Sequence, residues 1–418
     1  MQSLDGKVDN LKLRASYGQV GNDASADYYA HYALYNIDQN ANLAALYKSQ
    51  NAALAAKWES LGSLSTAIEG RLLDRVNFNV EYFDKRSKDL LFDVNLPLSA
   101  GGTSTTVAES TILQNIGVVS NKGFEITADV DILKSTDLRW NFGVNATFMK
   151  NKILELPEQN KVNGIISGTK KYMEGHSVYD FWAYQFVGVD QMTGDALYLP
   201  DTKTYNVNGS TPGAAAIPAA NLVQIGDQYY TNFATYGVRD WGGSAIPDVF
   251  GSFNTSLSVK NLTLSALFTY SLGGKTLDYS YNTLMSMSGN PSALHKDLLK
   301  AWDGVPEGIN ATSADRIDPN GIPVVDFTRS SRNNQSLSTR FLQDASYLVI
   351  KNIALSYNLP KTWMTRLDVS GMTVNAGVEN LATFTKLKGM NPQQSFNGVA
   401  DNAFVTARVF SLGLNIKL

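Results

Sequence analysis

Three acids along one stretch of the chain are spaced as a glycoside-cleaving pair would need. Glu125, Asp129 and Asp131 fall at even spacing, and on an extended strand alternate residues share a face about 7 Å apart. A carboxyl pair at such a separation can serve as acid and base on a glycosidic bond. The plainer reading, and the one favoured, is that these acids are solvated and line a hydrophilic passage with Asn141 and Asn145. Other catalytic sets are thinner. The histidines are only His31, His176 and His295, none in an HExxH arrangement, and there is no cysteine. That excludes disulfides and thiolate metal sites. A GxSxG elbow, a P-loop and a GxGxxG fingerprint are all missing, and Gly242-Gly243 and Gly273-Gly274 read as turn or bulge glycines. No catalytic residue, cofactor or metal is expected. A second group of residues can bind rather than react. Trp182, Tyr184, Tyr229, Tyr230 and Trp241, with Tyr236, crowd one long connection, where rings can stack on sugar C–H faces. They can equally pack that connection on itself or form an interfacial belt. The first five stand as candidate ligand-contacting residues.

The elements that must position them are strands. Phe124, Ile126, Ala128, Val130 and Ile132 alternate with Glu125, Thr127, Asp129 and Asp131. After the polar turn Lys134–Asp137, the alternation resumes from Leu138 to Phe148. A period of two puts an apolar medium on one side of each strand and water on the other. Runs of about 9–11 residues suit a tilted crossing of a bilayer, whereas globular strands are nearer 5–6. The apolar set could instead pack on a second sheet. The fold expected is all-β: an antiparallel transmembrane β-barrel segment of roughly ten strands from a larger barrel.

Composition bounds this without deciding it. The 418 residues are 44% hydrophobic, 11% aromatic and only 17% charged, which fits a barrel with aromatic girdles. A net charge of −3 argues against nucleic acid as a partner. No apolar run approaches the roughly 18 residues of a membrane helix, and the first residues lack the apolar core of a secretion signal. The expectation is therefore a chain from the back part of a longer protein.

Short turns and long loops take turns along the sequence. Strands are expected at Leu11–Val20, Leu61–Arg71, Val76–Leu91, Gln114–Leu133, Leu138–Lys150, Phe250–Val259, Leu262–Tyr279, Tyr347–Leu359, Met372–Thr385 and Val405–Leu418. The turns Leu72–Arg75, Lys134–Asp137, Lys260-Asn261 and Pro360–Gly371 join pairs of them. Longer loops fill the gaps, notably Pro97–Thr111, Lys152–Pro247 and Asn282 to about Arg340, and Ala41–Ala56 reads as a short helix over the barrel mouth or a surface loop. If the last strand ends on the periplasmic side, every short turn lies there and every long loop faces outward, as in bacterial outer-membrane barrels.

Several stretches resemble the C-terminal half of SusC/RagA-type TonB-dependent outer-membrane transporters. Lys57-Trp58-Glu59 and the run from Val80 to Leu91 look like that family's segment before its GFE motif. Asn115-Ile116-Gly117 with Asn121-Lys122-Gly123-Phe124-Glu125 is similar to the motif itself. Pro247–Phe253, Ala345–Tyr357, Val378–Leu381 and Thr383–Lys386 follow in family order, with Pro392 in place. The ending Phe410, Leu412, Leu414, Ile416 and Leu418, alternating with small and polar residues, resembles the terminal strand read by outer-membrane assembly machinery; Leu418 stands where an aromatic is commoner. Between Gly226 and Gly242 relatives often carry an acidic run, but Gln228–Asn232 holds none, so no calcium-like site is expected there.

The resemblance implies a multi-pass β-barrel of the cell outer membrane, in contact with lipid, from a receptor of about twenty-two strands. Residues 1–418 would be the C-terminal barrel part, with plug domain and signal peptide absent. The whole would import nutrients, oligosaccharides ahead of peptides, with a SusD-like surface lipoprotein over the loops and the TonB complex acting through the missing N-terminal part. It implies transport and no enzyme. The alternative is a secreted all-β carbohydrate-binding protein or glycosidase.

Overall fold

The structure, a computed structural model, describes residues 7–24, 26–40, 42–96, 110–286, 293–329, 337–367, 369–393, 397–400 and 404–418. The loop expected over Pro97–Thr111 lies outside them as far as residue 109. Ten long strands form one antiparallel sheet in chain order. They are β1 (Val8–Asn22), β2 (Glu59–Leu72), β3 (Val76–Lys88), β4 (Val118–Lys134), β5 (Leu138–Glu155), β6 (Val249–Val259), β7 (Leu262–Leu272), β8 (Tyr347–Asn358), β9 (Gly371–Thr385) and β10 (Val409–Lys417).

The register carries the sequence alternation across the whole sheet. One rung runs Leu11, Gly70, Phe78, Ala128, Val144, Phe253, Phe268 and Ile350. The next, one residue along, runs Lys12, Glu69, Asn79, Thr127, Asn145, Ser252 and Thr269. Directly opposed residues share a face, so the first rung is an apolar exterior and the second a polar interior. Phe253 and Phe268 stack at 4.6 Å on the outside. On the inside, Lys12 pairs with Glu69 at 2.8 Å and Asn145 donates to Ser252 at 2.6 Å. Among the described residues no second sheet covers the apolar face: Phe148 is 42% and Leu264 44% exposed, and Phe142 and Phe268 are half-buried.

The turns on one edge are tight. At Leu72–Arg75 both Leu73 (φ 54°) and Asp74 (φ 49°) are left-handed, the geometry whose twist matches a two-residue hairpin. Asp74 tolerates it and Leu73 is strained, while Arg71 grips Asp74 at 2.7 Å. The β8–β9 connection is longer than a turn and holds a helix, Lys361–Leu367. On the opposite edge lie the connections 23–58, 89–117, 156–248, 273–346 and 386–408. This sorting by length is the one expected.

Several boundaries differ from expectation; β5 runs on to Glu155 and β10 opens only at Val409. β7 stops at Leu272 rather than Tyr279 because Gly273 and Gly274 both take positive φ (79° and 75°); Lys275–Asp278 joins a different sheet and Tyr279 opens a helix, Tyr279–Met285. β4 starts at Val118, since Gly117 (φ 122°) separates it from Ser110–Asn115. Ala41–Ala56 supplies a strand, Leu43–Gln50, paired with Leu34–Asn40, and no helix; β-hairpin pairing overrides the helix propensity of its alanines.

The long connections fold into a crown of small sheets. Ile165–Ser167, Lys170–Tyr172, Asp180–Tyr184 and Arg239–Ser244 make one, and Leu222–Ile225, Gln228–Thr231, Ala196–Tyr198, Phe186–Asp190 and Ile317–Asp318 another. The crown has a sealed core of Phe181, Leu277, Met285 and Phe341. Among the described residues no helix is long and apolar enough to cross a membrane, which says nothing of crossing by strands. The two outermost strands, β1 and β10, each pair on one side only among the described residues.

Candidate functional site

The candidate aromatics lie on the crown, and the structure brings three of the five together. Trp182 and Trp241 are cross-strand partners, and their rings meet edge to face at 5.0 Å. Tyr184 sits two residues along from Trp182, opposite Arg239. Pleating puts alternate residues on one face, so an aromatic stripe forms from a five-residue strand and its neighbour. Tyr229 and Tyr230 are elsewhere, on the hairpin opposite Gln224 and Val223. Tyr236 packs edge to face on Tyr205 at 5.1 Å and lies tilted against Phe233 at 5.6 Å.

Cations hold the stripe. Lys171 Nζ lies 4.1 Å above the Trp182 ring, and Arg239 covers Tyr184 at 4.4 Å while donating to its hydroxyl at 3.2 Å. His176 stacks flat on Trp241 at 3.7 Å and reaches Asp180 at 3.4 Å. Each cation over a ring adds roughly 0.5–2 kcal/mol. Beneath the sheet, Lys170 donates to the Tyr179 carbonyl at 2.8 Å and lies over Phe181 at 3.4 Å. Burial lowers its pKa to about 8, because the ammonium loses hydration there. The sheet is pinned to the wall by Asn151 of β5, whose side-chain Oδ1 accepts from Ser177 Oγ at 2.8 Å and from the Val178 N–H at 2.9 Å.

Trp182, Tyr184 and Arg239 open onto a pocket of about 280 Å³, whose floor is Phe181, Leu277 and Leu342. A ring wall over an apolar floor with one guanidinium at the edge suits a flat ligand with polar rims, such as a sugar or a peptide side chain. Sequence reasoning found the rings but missed their basic partners. The signal was present in the Lys170-Lys171 doublet and in Arg239, each placed to alternate with aromatics across a pairing that only the fold reveals.

The acids considered for catalysis lie on the inner face of the wall. Asp131 accepts from Asn141 at 3.3 Å, Asp129 and Gly143 are opposed, and Glu125 faces Glu81 and Thr147. They lie on the polar face of the wall with other polar residues. Other ion pairs stitch the crown together: Asp190, fully buried, takes two bonds from Arg316 at 2.8 and 2.7 Å, and Asp195 holds Arg329 at 3.2 Å and Asn232 at 3.3 Å.

Comparison with known proteins fixes what such a wall and crown belong to. A family model described as TonB dependent receptor-like, beta-barrel matches residues 7–267. TonB-dependent receptor P3 of Formosa agariphila is 26% identical over 98% of this chain and 39% of its own length. TonB-dependent receptor SusC of Bacteroides thetaiotaomicron is 23% identical over 98% of this chain and 38% of its own. Among solved structures, the RagAB peptide transporter superposes with a TM-score of 0.73 at 22% identity, covering 98% of this chain and 41% of that one; this likeness is one of fold. The chain thus spans about 39% of the length of the curated relative P3. It belongs to the TonB-dependent receptor-like β-barrel family and is a β-barrel protein of the outer membrane.

Proposed function

We propose that this chain is the C-terminal wall and outer crown of a TonB-dependent importer, whose plug and remaining strands lie elsewhere in a longer parent. Its role is binding and passage rather than chemistry. The crown meets the nutrient, an oligosaccharide in preference to a peptide, and a SusD-like surface lipoprotein closes over it. TonB pulls on the plug. The observation that carries this reading is the division of labour within one sheet: an apolar exterior, a polar interior and a folded crown on one edge only. The oligosaccharide preference rests on the Trp182–Tyr184–Trp241 stripe, since aromatic faces suit the C–H faces of sugar rings. The RagAB structure is described as that of a peptide transporter, which keeps peptides as the second substrate class.

The test is uptake of fluorescent oligosaccharides and oligopeptides by cells carrying the parent gene with Trp182→Ala and Trp241→Ala. Oligosaccharide uptake is expected to fall about tenfold or more, as loss of two stacking platforms implies, with receptor abundance unchanged. Undiminished uptake in this variant discards the stripe as the binding surface. A parent that stays soluble and monomeric without detergent discards the importer.

A further inference from the structure

The connections after β5, β7 and β9 meet around a larger cavity of about 630 Å³, distinct from the tryptophan pocket. Phe186 comes from the first connection, Tyr281, Asp297, Lys300 and Arg340 from the second, and Lys388 from the third. Arg340 lies between two rings, its guanidinium carbon 5.7 Å from the centre of Phe186 and 5.2 Å from that of Phe341. Its Nη1 is shut off from solvent and has no hydrogen-bond partner. Elsewhere the crown pairs its inward arginines: Arg316 with Asp190 and Arg329 with Asp195. Among the described residues Arg340 has rings and no carboxylate partner. Burial lowers its pKa from the usual arginine value, yet a guanidinium keeps its proton in proteins. A desolvated cation without a counter-ion is unfavourable, and ring faces offset only part of that.

The cavity's charge points the same way. Three cations (Arg340, Lys300 and Lys388) face one acid, Asp297, for a net of +2. Asp297 is itself engaged, accepting from the Tyr281 hydroxyl at 3.3 Å and lying 3.5 Å from His295. Lys300 and Lys388 are exposed, so they attract an anion from solvent and leave the desolvated grip to Arg340.

We propose that this cavity is a carboxylate-binding subsite, in which Arg340 takes an acid group of the ligand in the position that a protein carboxylate fills at Arg316. The acid is the C-terminal carboxylate of a short peptide or the acid group of a uronic sugar. A guanidinium's planar fork matches a carboxylate with two parallel bonds. The subsite deepens the nutrient-binding reading and rests on it.

The parent receptor, purified in detergent, is titrated with four probes: trialanine, trialanine amide, digalacturonate and neutral galactobiose. At least one acidic probe should bind more tightly than its neutral partner, and which one does so names the source. Arg340→Met should weaken that acidic probe about tenfold to a hundredfold, leave the neutral probes unchanged, and leave the melting temperature unchanged or raised. A structural arginine would lose stability instead. Arg340→Lys should keep part of the affinity, having charge without the fork. If Arg340→Met does not fold, the double variant Lys300→Gln/Lys388→Gln decides: it should weaken the acidic probe about threefold or more and flatten its salt dependence. Equal affinity for acidic and neutral probes, no binding of either acidic probe, or indifference to these substitutions overturns the subsite. Neutral probes that bind and respond to Trp182→Ala leave the nutrient reading standing in that event.

Discussion

In the wall, strands run 9 to 18 residues, and the clusters of buried apolar residues found among the described residues lie in the crown instead. In the β5–β6 part of the crown, strands run 3 to 6 residues and enclose residues such as Tyr198, Leu197 and Val189 with almost no exposure. Both are antiparallel β-structure. They differ in what receives the apolar side chains: the bilayer receives them in the wall, and protein receives them in the crown. The wall can therefore be long and regular, each rung repeating the last. The crown must bring distant segments together, and it does so with buried charge as well as apolar contact.

The largest expected contrast comes from cutting that charge. Asp190→Ala leaves the Arg316 guanidinium buried and unpaired, and breaking a buried pair in this way costs about 3–5 kcal/mol. Hydrogen exchange should rise across 186–198 and 314–318 while β4 and β5 stay protected. Equal loss of protection in wall and crown would mean that the two are one cooperative unit. The second contrast lies within the wall. Val144→Arg places a cation on the lipid face and should destabilise the barrel in a bilayer by about 2–4 kcal/mol near mid-depth. Asn145→Arg, one residue along and facing the passage, should change stability by less than about 1 kcal/mol. Matching effects in a bilayer folding titration would refute the assignment of faces.

The third contrast is one of pH, and it belongs to the crown alone. Lys170 has a folded pKa of about 8 against 10.5 for the free side chain. Between those values the unfolded chain holds a proton that the folded crown has released, so stability rises with pH across that window and is lowest below pH 8. Melting followed through tryptophan emission should show that rise in the native chain and lose it in Lys170→Met. A native crown whose melting does not change from pH 8 to 10.5 would refute the burial of Lys170 as the cause.

The wall was legible residue by residue. Phe124 to Ile132 and Leu138 to Phe148 showed their faces because a period of two needs no knowledge of partners, and the family motifs from Lys57 to Lys386 gave the order. Local backbone geometry defeated the boundaries: positive φ at Gly117, Gly273 and Gly274 broke strands that composition would have continued. The crown was far less legible. Trp182 and Trp241 lie far apart in sequence and meet only because Asp180–Tyr184 pairs with Arg239–Ser244. Nothing local says so. Arg340 is harder still, a lone cation between Thr339 and Phe341 whose meaning depends on Phe186 across the crown.

The two seams of the sheet carry a counting rule. β1 runs from the short-turn edge toward the crown, and β10 runs back the other way. Antiparallel pairing at both seams requires a neighbour of opposite direction at each. A continuous antiparallel insert that closes the cylinder must leave β10 going up and arrive at β1 coming down. Only an even number of additional strands satisfies both ends, whatever their sequence, and a complement with an odd count would be forced into one parallel seam.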